Sequence, residues 1–137
     1  MQPSQELHDL VVRTITQMAA KNFQAILDVC SREPGILHLG TDPKEWMENL
    51  AAFEAVARPA IEGGSGNMPT DLEIKTGQEG TVGWSACRYT GHLPNGAVLR
   101  FRLSNVWHQE GGTWKTVHSH ISLGVPDELV MNIAQPA

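Results

Sequence analysis

The sequence predicts an α+β domain: a curved antiparallel sheet of about four to six strands, covered by three N-terminal helices. Two observations carry this. Apolar residues recur at three- and four-residue steps through the first half, then at every second residue from Thr70 onward. Turn signals built on glycine, proline and asparagine punctuate the second half at short intervals, as strands joined by hairpins require. With 137 residues the chain has room for one core, so residues 1–137 are read as a single domain.

Leu7, Leu10, Val11, Ile15 and Met18 line one face of a first helix. Ser4 stands where a hydroxyl caps its free amides. Lys21-Asn22 interrupts the stripe. Phe23, Ile26, Leu27 and Cys30 restart it as a second helix capped by Asn22 and ended by Glu33-Pro34-Gly35. Ile36 to Leu39 is a short extended run. Thr41-Asp42-Pro43-Lys44-Glu45 is expected to open a third helix, with a capping side chain followed by proline in the first turn. Trp46, Met47, Leu50, Phe53, Ala57 and Ile61 then form its buried face, and the glycine-rich stretch from Gly63 to Asn67 closes it.

From Thr70 the period is two. Leu72 and Ile74 alternate with Asp71, Glu73 and Lys75; Trp84, Ala86 and Arg88 alternate with Ser85, Cys87 and Tyr89. Pro94-Asn95-Gly96 and Glu110-Gly111-Gly112 are hairpin turns on either side of a long strand from Val98 to His108. The last strand runs from Trp114 to Leu123 and stops at Gly124-Val125-Pro126, before a short tail that suits a helix.

Composition excludes several function classes. The net charge is −5 with no run of lysine or arginine, which disfavours a nucleic-acid partner. No apolar stretch reaches the roughly 20 residues that cross a bilayer, and the N-terminus lacks the pattern of a signal peptide, so no membrane is expected and a cytoplasmic location is. Cys30 and Cys87 read as buried thiols of a reducing compartment. No CxxC or HExxH spacing is present, so neither a metal nor another cofactor is expected.

Two stretches carry a family resemblance. Val106-Trp107-His108, the charged glycine turn, Trp114 and Val117-His118-Ser119-His120-Ile121-Ser122 resemble the final hairpin of SnoaL-like domains of the nuclear transport factor 2-like superfamily. They are most similar to the association domain of calcium/calmodulin-dependent protein kinase II and its bacterial stand-alone relatives. Gly40-Thr41-Asp42-Pro43-Lys44-Glu45-Trp46 resembles a segment of those bacterial members. The resemblance implies a cone-shaped sheet around a pocket, and a homodimer or larger homo-oligomer. It leaves activity open, because the fold hosts enzymes, binding modules and oligomer scaffolds.

In those relatives arginines from three strands line the pocket. Arg88 matches one; the other two positions hold Asn105 and Ile121. Carried onto this chain, the resemblance places Trp84, Ala86, Arg88, Phe101, Leu103, Asn105, Val117 and Ser119 on the pocket side. Arg88, Trp84, Asn105, Trp46 and Ser119 are therefore the expected ligand-binding set. A buried Arg88 needs a partner, either a ligand or Glu54 or Glu62 of the covering helix. His118 and His120, two apart on a strand, share a face with Trp114, Thr116 and Ser122. The register turns that face outward, where a structural role outweighs a metal or acid–base pair. Arg100 and Arg102 go to the outer face as well.

His38 and Asp42 are the candidates for catalysis near the pocket mouth, against plainer roles as a satisfied core histidine and a cap. The expected function is binding of a small organic molecule in a semi-apolar pocket. The alternatives are an isomerase, cyclase or hydratase on such a molecule, and a homo-oligomerisation scaffold.

Overall fold

The computed structural model describes residues 1–136 and shows three helices preceding a long antiparallel meander, the predicted α+β class. Helix α1 (Gln5–Ala19) buries Leu7, Val11 and Ile15, and Ser4 caps it by accepting from the Leu7 amide at 3.1 Å. Asn22 caps α2 (Phe23–Asp28) by accepting from the Ala25 amide at 3.3 Å. Lys21, in the left-handed region at φ 62°, makes the sharp joint between them.

The next segment departs from the expectation. Thr41 to Glu45 forms a turn, not a helix: the Gly40 amide donates to the Glu45 carbonyl at 3.0 Å, and the Lys44 amide donates to Asp42 Oδ1 at 2.8 Å. A capping aspartate followed by proline serves a tight turn as well as a first helical turn. The turn joins β1 (Leu37–Leu39) to β2 (Trp46–Met47), which pair antiparallel. Helix α3 (Leu50–Glu62) starts only after Asn49, whose side chain accepts from the Ala52 amide at 2.8 Å.

Strands β3 (Thr70–Glu79), β4 (Val82–His92), β5 (Val98–Glu110) and β6 (Thr113–Leu123) follow as consecutive antiparallel neighbours, and α4 (Asp127–Ile133) ends the ordered sequence of elements. The six strands lie in the order β2-β1-β6-β5-β4-β3 and form a curved, unclosed sheet. Strand β1 runs parallel to β6, so the sheet is mixed where a purely antiparallel one was expected. Two register shifts interrupt the meander, one near Asp71 in β3 and one where β6 passes Val106 and Trp107. Such bulges bend and twist a sheet, which suits its curvature.

Helix α1 lies directly on β4. A Cβ at Gly83 would come within 2.5 Å of Leu7 Cδ1, so only glycine admits the helix at that distance. Leu7, Val11 and Ile15 meet Cys87, Tyr89, Trp107 and Trp114 in the main core. A second cluster joins Phe23, Ile26 and Leu27 of α2 to Leu50, Phe53, Ala57 and Ile61 of α3. Between the two clusters the helices stand off from the sheet.

Candidate functional site

That gap is a cavity of about 300 Å³, bounded by α1, α2, α3, the β1–β2 turn and the inner faces of β5 and β6. Most of its wall is aliphatic or aromatic, including Met18, Phe53, Phe101 and Leu103, and among the described residues no lysine or arginine lines it. The polar points are few: Thr14, His38, Thr41, Asn105, Thr116 and Ser119, with Glu45 the one carboxylate.

Strand register decides which sequence-predicted residues reach it. Phe101, Leu103, Asn105 and Trp107 line the cavity from β5, and residues directly opposite share their face. Their β4 partners are Tyr89, Cys87, Ser85 and Gly83. Trp84, Ala86 and Arg88 therefore project from the outer face, contrary to the expectation. The Arg88 side chain is 71% exposed and its Nε donates to Glu73 at 2.6 Å. Glu54 and Glu62, proposed as its partners, instead hold Arg58 one helical turn away on either side. Both parities of β4 carry an aromatic residue. Packing chose Cys87 and Tyr89, because α1 needs the narrow site above Gly83.

Trp46 also stays outside. It is 61% exposed on β2, with its indole N–H directed to Glu48 at 3.3 Å. Asp42 is exposed in its turn and does not line the cavity. Asn105 and Ser119 do line it, directly opposite one another across β5 and β6.

The shift in β6 corrects a second expectation. Val117 has no partner in β5, because Val106 pairs with His118 and Trp107 with Thr116. One extra residue reverses the parity of a strand. Trp114 and Thr116 thus lie inside, together with Ser119 and Ile121, instead of sharing the outer face with the histidines. His120 faces outward, exposed, and His118 reaches sideways to the Leu37 carbonyl with Nδ1 at 2.8 Å.

The centre of the polar side is His38. Parallel pairing sets it beside Ser119, and its Nδ1 lies 2.6 Å from the Ser119 hydroxyl oxygen. Its ring packs on Phe53 with centroids 4.6 Å apart, and the residue is 1% exposed. Burial, reinforced by neighbouring His118, pushes its pKa down to about 4, so the ring is neutral at physiological pH. Nε2 is buried with no hydrogen-bond partner. Nearby, Asn105 donates through Nδ2 to Thr116 Oγ1 at 3.1 Å, and Thr116 donates in turn to the His118 carbonyl at 3.1 Å.

The rest of the wall is chemically quiet. Burial pushes the Cys30 thiol up to about 12, so it carries no thiolate at neutral pH. Among the described residues, no three His, Cys, Asp or Glu side chains come together as a metal site. Among the described residues no helix is long and apolar enough to cross a membrane. Sequence reasoning missed Thr116, hidden by the bulge, and the His38–Ser119 contact, which depends on a parallel pairing between distant segments. The available signal was His38 itself, a lone imidazole in an otherwise apolar extended run.

Comparison with known proteins agrees with this architecture. A nuclear transport factor 2-like protein of unknown function from Pseudomonas putida superposes with a TM-score of 0.74 at 14% identity, covering 90% of this chain and 88% of that one. Another such protein from Silicibacter pomeroyi gives 0.64 at 17% identity, covering 86% and 92%. The association domain of Caenorhabditis elegans calcium/calmodulin-dependent protein kinase II gives 0.62 at 16% identity, covering 86% and 92%. At these identities the likeness is one of fold. No curated protein matches the sequence. The family model described as the SnoaL-like domain matches residues 7–127, and the chain belongs to that family.

Proposed function

We propose that this protein binds a small, uncharged, largely apolar organic molecule in the inner cavity, oriented by one polar atom against His38. The observation that carries this reading is the buried, unpartnered Nε2 of His38 in the wall of an apolar cavity. A buried polar atom left unpaired costs about 1–3 kcal/mol, which a ligand hydroxyl or carbonyl recovers. Charge narrows the ligand class. An anion in this cavity would meet no cation and one carboxylate, Glu45, so carboxylates and phosphates are disfavoured. The volume lies at the lower end of the range for small-molecule pockets.

Binding is favoured over proton transfer. An isomerase, cyclase or hydratase needs an acid or base of suitable strength set free against the substrate. His38, with its pKa pushed down to about 4, is a weak base, Asp42 stands in an exposed turn outside the cavity, and Glu45 is tied to that turn by accepting from the Asp42 amide at 3.1 Å. A thermal-shift panel of cyclic ketones, aromatic alcohols and aromatic carboxylates tests the assignment. Neutral oxygen-bearing rings should raise Tm and carboxylates should not. Replacing His38 by phenylalanine, which keeps a ring in place, should weaken the best ligand about tenfold. Stabilisation by carboxylates alone, or an unchanged affinity in His38→Phe, contradicts the reading.

Self-association is a second reading, supported by α4. Its Leu129, Met131 and Ile133 are 50%, 66% and 84% exposed, large apolar side chains left in solvent. The fold is shared with a kinase association domain. Light scattering should give at least a dimer at micromolar concentration, reverting to monomer when these three residues become serine. A monomeric parent protein ends this reading.

A further inference from the structure

The outer face of the sheet carries a second concavity, of about 520 Å³, whose chemistry is the reverse of the inner one. Direct pairing sets two rows of side chains across it. One row runs Glu73, Arg88, Arg102, Ser122, and the next Lys75, Ala86, Ser104, His120. Ala86 and Ser104 are short and form the floor. Arg88, Arg102 and Lys75 stand around them.

Three cations thus share one depression in a chain whose net charge is −5. Arg88 and Arg102 sit directly opposite, with Cβ atoms about 5 Å apart, a like-charge juxtaposition that is destabilising unless something negative lies near. The protein supplies only part of that. Glu73 takes the Nε–H edge of Arg88 at 2.6 Å, and Asp71, the next carboxylate along, accepts from the Thr90 hydroxyl at 3.2 Å. Among the described residues, Arg102 and Lys75 make no ion pair.

We propose that this outer concavity is a binding site for a phosphoryl oxyanion, separate from the inner cavity. The donors come from both rows: the Arg88 and Arg102 guanidinium groups and the Ser122 hydroxyl in one, and the Lys75 ammonium with the Ser104 hydroxyl of the floor in the next. A planar carboxylate presents two oxygens and engages a guanidinium edge-on. A tetrahedral phosphoryl group presents three or more and can engage all of these donors together.

Calorimetric titration of the intact protein at low salt with inorganic phosphate, phenyl phosphate and succinate tests this. Phosphate or its ester should bind saturably at one site per chain, more tightly than succinate, and added sodium chloride should weaken it. Preference between the first two tells a free ion from an organic ester. Arg102 is exposed, so Arg102→Gln leaves the core intact. It should weaken binding at least about tenfold, as loss of a charge-assisted donor does. Lys75→Gln should weaken it too, and His38→Phe should leave it unchanged, which separates this site's failure from that of the inner cavity. Absence of saturable phosphoryl binding, equal affinity in Arg102→Gln, or succinate binding as tightly as phosphate overturns the proposal. So does a dimer that dissociates in Arg102→Gln without binding phosphate, since a second copy then fills the face.

Discussion

Acidification from about pH 7 to about pH 5 is expected to lower the unfolding free energy by about 2 kcal/mol through His38 alone. In the unfolded chain this imidazole takes up its proton near its ordinary value of 6.5, whereas in the folded protein burial holds the pKa at about 4. Between those values the unfolded state binds more protons than the native state, so stability falls as pH falls. The contribution is nearly complete above 6.5, has fallen by about 3 kcal/mol near 4, and levels off only below the folded-state value. The lowered carboxylates do not account for this window. Glu73, held down by its hydrogen bond from Arg88, and Asp9, held down by hydrogen bonds from Gln5 and His8, lie below the ordinary carboxylate range and so outside this window. Urea unfolding at the two pH values gives the difference directly. His38→Phe, with no proton to gain, should flatten most of the dependence; a parent protein equally stable at both values contradicts the burial argument.

Truncating Trp107 to alanine should cost about 3–5 kcal/mol, a large part of the roughly 5–15 kcal/mol that holds a typical domain folded. Its side chain is 1% exposed and bridges the main core to the cavity wall. Its indole N–H donates to the Ser85 hydroxyl at 2.8 Å, in a place where Ser85 is 2% exposed. Truncation opens a void and leaves that hydroxyl unpaired. Trp107→Phe retains most of the packing and loses only the donor, so it should cost about 1–3 kcal/mol. Urea midpoints of the two variants separate the effects. Equal losses would show that the hydrogen bond, not the packed volume, dominates.

Local physics was legible in the sequence and non-local pairing was not. Ser4 and Asn22 announce their helices because capping is settled within three residues. The turns at Asn95-Gly96 and Gly111-Gly112 fix the β4–β5 and β5–β6 neighbours, because Gly96, Gly111 and Gly112 adopt positive φ. The errors arose where a distant segment casts the deciding vote. Thr41 to Glu45 carries signals for a turn and a helix alike, and β1 tips the balance by pairing with Trp46 and Met47. The resemblance to relatives points Arg88 inward, whereas alternation alone allows either parity of β4. The register Ser85–Asn105, Cys87–Leu103, Tyr89–Phe101 decides it.

The sequence offers Asn105 and Ser119 as ligand contacts and His38 as a catalytic candidate, and all three line one cavity, whatever their roles. Their grouping depends on β1 lying parallel to β6, a pairing across about 80 residues that no local pattern encodes. Thr116 was lost to the unpaired Val117, since a bulge leaves no mark on an alternating stretch of polar and apolar residues.

The central claim is that a neutral, half-satisfied His38 in the inner cavity receives the ligand. Long-range proton–nitrogen correlation spectra of the imidazoles, recorded at neutral pH with and without a stabilising cyclic ketone or aromatic alcohol, test it most directly. The account predicts a single neutral tautomer for His38 in the free protein, and a ligand-dependent shift at Nε2 with Nδ1 nearly unchanged. A His38 ring that is protonated at neutral pH, or one whose nitrogens ignore the ligand, would contradict it.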